Sequence, residues 1–188
     1  MHYLFAHLPD GADAAAVEAA LADADAVLLR GAADTVKEGS FADGRAWLAG
    51  WREEAAADAA AAALGESLAG VPEAAAGIAA LRIEGNGAAP SPDEAAFCIA
   101  NHTVTDPDGF QPYIAAVADV TAMFGGRFLA RAGATRTVAG DLEAGRSVIL
   151  AFVDRAAAER FYTAPEYAPL LALRLATTRP NFFMAAVS

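Results

Sequence analysis

Six side chains in the second half of this 188-residue chain are of the types that hold small molecules or move protons: Asn101, His102, Tyr113, Arg127, Arg131 and Tyr167. Read as one strand, Arg127 to Val138 puts Arg127, Leu129 and Arg131 on one face and Phe128 and Ala130 on the other, by the two-residue period of extended chain. Two guanidinia on one face would clamp a carboxylate. Structural ion pairing is the commoner use of such arginines, here with Asp119, Glu143 or Glu166. An imidazole titrates near neutral pH, so His102 could act as a general base; a strand histidine is more often a hydrogen-bonded core residue. Tyr113 and Tyr167 would pack their rings and donate one hydrogen bond each. Taken together, the six predict a cavity between the sheet and helices of the second half that binds a small organic acid or an aromatic compound.

Other chemistries have no residues to carry them. No Ser-His-Asp arrangement, metal cluster or phosphate loop stands out. Gly85-Asn86-Gly87 lacks the third glycine of a dinucleotide fingerprint. Cys98 is the sole cysteine and there are three histidines, so neither an internal disulfide nor a zinc-ligand spacing is available. The expectation is therefore no cofactor. The net charge is −11. Residues 1–89 hold 5 basic and 14 acidic groups, whereas residues 95–188 hold 8 of each, all the basic ones arginine. Such acidity opposes nucleic-acid binding, which needs a basic footprint. No apolar run approaches the ~18 residues of a membrane span, and Met1-His-Tyr-Leu-Phe5 has no basic leader pattern. A soluble cytoplasmic protein is the simplest reading.

The elements that must position the six residues are legible through an internal repeat. Gly145-Arg146 falls on Gly44-Arg45, and Thr137-Val138 on Thr35-Val36, at offsets of 101 and 102. In the first half, Tyr3–Leu8 reads as a strand, Ala14–Ala24 as a helix with Val17 and Leu21 inward, and Asp25–Val36 as a strand. Glu38–Gly44 follows as a hairpin loop. Arg45–Trp51 is the return strand, Arg52–Leu68 a helix broken by Pro72, and Ala79–Glu84 the last strand. In the second half, Phe97–Thr105 is a strand, Asp106-Pro-Asp-Gly109 a turn, and Pro112 opens a helix that Gly125-Gly126 ends. Arg127–Val138 and Arg146–Val153 pair, Asp154 caps a helix interrupted at Pro165, and Phe182–Val187 closes. Each half reads β-α-β-β-α-β. The predicted fold class is α+β, with tandem ferredoxin-like repeats at 1–85 and 95–188 joined by the Gly- and Pro-rich linker 86–94. His102 corresponds to His7 if Leu4-Phe-Ala-His7 is laid on Ile99-Ala-Asn-His102.

Asp106-Pro-Asp-Gly-Phe-Gln-Pro-Tyr113, Gly125-Gly-Arg-Phe-Leu-Ala-Arg-Ala-Gly133, Thr163-Ala-Pro-Glu-Tyr167 and Leu173-Arg174, in that order, resemble the domain-of-unknown-function family numbered 1330. The resemblance covers about residues 95–188. It implies the dimeric α/β-barrel superfamily, in which the sheet of one ferredoxin-like unit packs against that of another. The family has no agreed activity. The first half lacks these motifs, so a degenerate partner would make one chain an intrachain pseudo-dimer; if the halves do not pair, homodimers follow. Besides small-molecule binding, a non-catalytic assembly module and a cofactor-independent monooxygenase- or isomerase-like enzyme stay open, the last by fold analogy alone.

Overall fold

The structure is a computed structural model and describes residues 1–39, 43–69 and 77–187. The tip of the expected hairpin after Glu38 and the helix break at Pro72 lie outside the described residues. In chain order the elements are β1 (His2–Pro9), α1 (Ala15–Ala20), β2 (Ala26–Glu38), β3 (Gly44–Trp51), α2 (Glu54–Leu68) and β4 (Ala79–Glu84). They continue with β5 (Ala96–Val104), α3 (Pro107–Met123), β6 (Arg127–Arg131), β7 (Thr135–Gly140), β8 (Arg146–Phe152), α4 (Arg155–Thr163), α5 (Ala168–Thr177) and β9 (Thr178–Ala186).

One antiparallel sheet takes in every described strand, in the order β6-β8-β5-β9-β2-β3-β1-β4-β7. Residues 2–84 contribute β4-β1-β3-β2 and residues 96–186 contribute β9-β5-β8-β6. Two strands cross between these sets. The first part of β2 pairs with β3, and then Asp34 to Glu38 pair with β9. β7 pairs with β4, while β6, just before it in the chain, pairs with β8. The two end strands of the list are thus joined by the short bend 132–134, and the sheet curls back on itself. Curling removes the open edges that an antiparallel sheet of this width would expose.

The alternation of each strand sorts the core into an inner and two outer layers. Tyr3, Phe5, Leu48, Phe97, Ile99, Ile149 and Phe183 fill the inner face. On one outer face Leu4, Trp47, Ala49 and Trp51 meet Val17 of α1 and Ala57, Ala61 and Leu64 of α2. Trp47 also donates its indole N–H to Glu18, at 2.8 Å. On the other outer face Cys98, Leu150, Phe152 and Met184 meet Val117 of α3 and Phe161 of α4.

Three readings of the sequence need correction. Arg127–Val138 is two strands: Ala132 takes a left-handed conformation (φ 59°), and the chain changes partner across it. A bulge between Phe128 and Ala130 also shifts the register of β6 against β8. An extra residue there reverses which side chains face the core, so Leu129 and Ala130 both turn inward. Third, α3 begins at Pro107, not near Pro112. Asp106 accepts a hydrogen bond from the Gly109 amide at 3.0 Å, a capping arrangement with proline in the first helical turn. Pro112 lies inside the helix on its exposed side, where its missing N–H costs least.

A buried pair stands where β2 leaves β3. His7 Nε2 lies 3.0 Å from an Asp34 carboxylate oxygen, both side chains fully buried, and His7 Nδ1 lies 2.8 Å from the Gly77 carbonyl. The other Asp34 oxygen accepts from the Gly44 amide at 3.2 Å. Burial opposes a charged His7, but the hydrogen bond and charge of Asp34 outweigh it and raise the imidazole pKa. A raised folded-state pKa gives stability that is fully present below about pH 6.5 and is lost as pH rises through the folded value. The urea midpoint is therefore expected to fall as pH is raised from about 6 to about 9. In Asp34→Asn that fall should disappear; equal slopes in the two proteins would refute the coupling.

Candidate functional site

A narrow cavity opens between the outer face of β5, β6, β8 and β9 and the helices α3 and α5. Its walls are apolar at Cys98, Val117, Phe128, Val148, Leu150 and Phe182, and polar at His102, Tyr113, Arg131, Arg146 and Tyr167. Its cavity volume is about 20 Å³, near the ~10–15 Å³ that one water needs.

His102 follows Cys98 and Ala100 along β5 at alternate positions and so shares their outer face. It is 2% exposed, and its Nδ1 has no hydrogen-bond partner of good geometry. Burial first, then the charges of Arg174 and Arg146, push its pKa down to about 3, so the ring is neutral at physiological pH. Arg146, opposite His102 in the β5–β8 register, sits at the mouth over the Phe110 ring. Its pKa is lowered by burial and by the neighbouring charge of Arg131. Arg131 lies over Phe128 and donates to the Ile114 carbonyl at 2.8 Å. Among the described residues no carboxylate pairs with either arginine, although two like charges at one rim call for an anion.

The floor is held from the first half of the chain. Glu38, at the end of β2, takes both terminal nitrogens of Arg174 in a fork, one at 2.6 Å, and accepts the Tyr162 hydroxyl at 2.7 Å. Arg174 is fully buried and lies over Phe182, a wall residue. Burial lowers its pKa, but Glu38 and the two tyrosines outweigh that and raise it. Tyr167 interacts with Tyr113 and Arg174; burial is the main force raising the pKa of both tyrosines, so both hydroxyls stay protonated.

Of the six residues singled out from sequence, the cavity brings together His102, Tyr113, Arg131 and Tyr167. Arg127 lies elsewhere. The β6 bulge separates its face from that of Arg131, and it pairs with Glu94, not with Asp119, Glu143 or Glu166. Its guanidinium also donates to the Ala89 carbonyl at 2.7 Å, so it fastens the linker to β6. Asn101 faces the other side of the sheet from His102. It donates to the Glu143 carbonyl at 2.6 Å and accepts from the Gly145 amide at 2.9 Å. His7 likewise packs on inner-face Phe183, with ring centroids 5.2 Å apart. The alignment of His7 with His102 is therefore one residue out of register, and the inner-face position in β5 belongs to Asn101. Arg146, Glu38 and Arg174 were not foreseen. Arg146 stands opposite His102 through the pairing of β5 with β8, strands separated in the chain by α3, β6 and β7, and nothing local to Glu38 signals its distant partner.

Among the described residues no group of three His, Cys, Asp or Glu side chains could hold a metal ion, and no helix is long and apolar enough to cross a membrane. A curled antiparallel sheet with helices on its outer faces and a cavity beneath them is the architecture of the dimeric α/β barrels. A solved structure of an anthrone oxidase-like protein shares it, aligning with 99% of this chain and 91% of its own at 17% identity and a TM-score of 0.51. Another, of a major regulator of staphylococcal pathogenesis, aligns over the whole of both chains at 11% identity and a TM-score of 0.49. Residues 95–187 match the family described as Domain of unknown function (DUF1330). No curated protein matches the chain.

Proposed function

We propose that the protein binds a small organic acid with an apolar, preferably aromatic, body in the cavity of residues 95–188. The observation that carries this reading is the Arg131–Arg146 pair at the mouth, two guanidinia without a described carboxylate, above apolar walls. A carboxylate between them would relieve their repulsion and gain charge-assisted hydrogen bonds. Entry needs Arg131 to leave the Ile114 carbonyl, and as an exposed side chain it is the movable wall. The reading assigns binding, without a reaction step.

The test is calorimetry with benzoate. Arg146→Ala and Arg131→Ala should each weaken binding about 10- to 100-fold, as expected for losing a hydrogen bond to a charged group. Arg127→Ala should leave it unchanged. Benzoate affinity indifferent to both rim substitutions would refute the reading.

The same proposal includes a doubled chain: units at 1–85 and 95–188, linker 86–94, pairing as an intrachain pseudo-dimer. Two observations favour it. The strand orders β4-β1-β3-β2 and β9-β5-β8-β6 match position for position. Gly44 and Gly145, 101 residues apart, each donate an amide to an inner-face side chain, Asp34 and Asn101. Only the second unit has the arginine rim, and the first contributes Glu38 to the floor beneath it. A light-scattering mass of one chain at low and high concentration is the expected result.

A further inference from the structure

We propose that His102 is a second anchor in this cavity and that the ligand is a hydroxylated aromatic acid, its carboxylate at the Arg131–Arg146 rim and its hydroxyl donating to His102 Nδ1. The inference rests on the acid-binding reading and adds a specificity to it. Folded proteins leave few buried polar atoms unpaired, and each calls for an explanation. Here one such unpaired atom belongs to a side chain 2% exposed in the wall of a cavity whose rim suits an acid. A neutral imidazole has one N–H and one free lone pair. With the proton on Nε2, Nδ1 is an acceptor.

Among the described residues no donor of the protein reaches that acceptor within hydrogen-bond distance. Tyr167 accepts from Tyr113 and from Arg174, the two terminal nitrogens of Arg174 are taken by Glu38, and Arg174 Nε is itself unpaired. Cys98, Val117, Phe128 and Leu150 are apolar walls that suit a ring. Room of about 20 Å³ is that of one hydroxyl-sized group, so a hydroxyl can be seated deep while the ring displaces Arg131 outward. A site built around such an acceptor rejects the analogue without the hydroxyl, because the analogue strands a buried polar atom.

The experiment is calorimetry on the intact chain with benzoate, the ortho-, meta- and para-hydroxybenzoates and their methoxy counterparts. At least one hydroxybenzoate should bind about tenfold or more tightly than benzoate, and its methoxy counterpart, which cannot donate, should lose that gain. His102→Phe should abolish the preference, read as the ratio of hydroxybenzoate to benzoate affinity in the same variant, and His102→Gln, which keeps an acceptor, should retain part of it. The wild-type comparison decides the matter even if a variant fails to fold. Benzoate and all three hydroxybenzoates binding within threefold of one another would overturn the His102 assignment and leave the arginine rim standing. If none of them binds, the acid-binding reading falls, and this assignment falls with it.

Discussion

Glu38→Ala is expected to destabilise the protein by about 3–5 kcal/mol, the cost of removing one partner of a buried ion pair. The carboxylate is 8% exposed and its partner Arg174 is fully buried. Truncation leaves a guanidinium without its counter-charge in a low-dielectric layer and strips the Tyr162 hydroxyl of its acceptor. The loss falls on the seam where residues 34–38 of β2 join β9, which Arg155 also crosses with bonds to Thr35 and the Ala33 carbonyl. Urea denaturation measures it. Replacing both partners, as Glu38→Leu with Arg174→Met, should cost far less than either alanine variant, because no charge is then stranded. A Glu38→Ala loss below about 1 kcal/mol would show the pair to be solvated and the seam to be held otherwise. The substitution should also weaken benzoate binding, since Phe182 and Tyr167 rest on Arg174.

What could be read from the residues alone, and what could not, divides along the range of the forces involved. Ala79–Glu84 is a strand with the predicted bounds, and the cap at Asp154 binds the amide of Ala157. Those features depend on neighbours a few residues away. Four of the six site residues converge because strand and helix periodicities place them on one outer face. Arg127 and Asn101 were misplaced by parity. One bulge in β6 and a one-residue slip in matching β1 to β5 each exchange inner for outer, and neither leaves a composition signal. Ala132 hides the division of β6 from β7, since an alanine gives no warning of a left-handed conformation. The Glu38–Arg174 fork joins residues 136 apart and depends wholly on how β2 crosses to β9.

The second seam, between β4 and β7, is open to a sharper test. Gly140 pairs with Ala79, has φ +80°, and a Cβ built on it would lie 1.9 Å from the Ile78 carbonyl oxygen. Gly140→Ala therefore adds a backbone collision to a left-handed penalty: about 1–2 kcal/mol for conformation and about 1–3 kcal/mol for overpacking. Gly87, with φ +88° and open space around its would-be Cβ, is the control, and alanine there should cost the conformational part alone. The difference in urea unfolding free energy between the two variants isolates the contact that holds β7 against β4. Equal costs would mean that β7 can move off β4 without penalty, and the sheet would then not be closed at this seam. The seam also bears on the site. β7 continues from β6 through the bend at 132–134, and β6 supplies Phe128 and Arg131 to the cavity wall. Gly140→Ala should therefore lower benzoate affinity as well as stability.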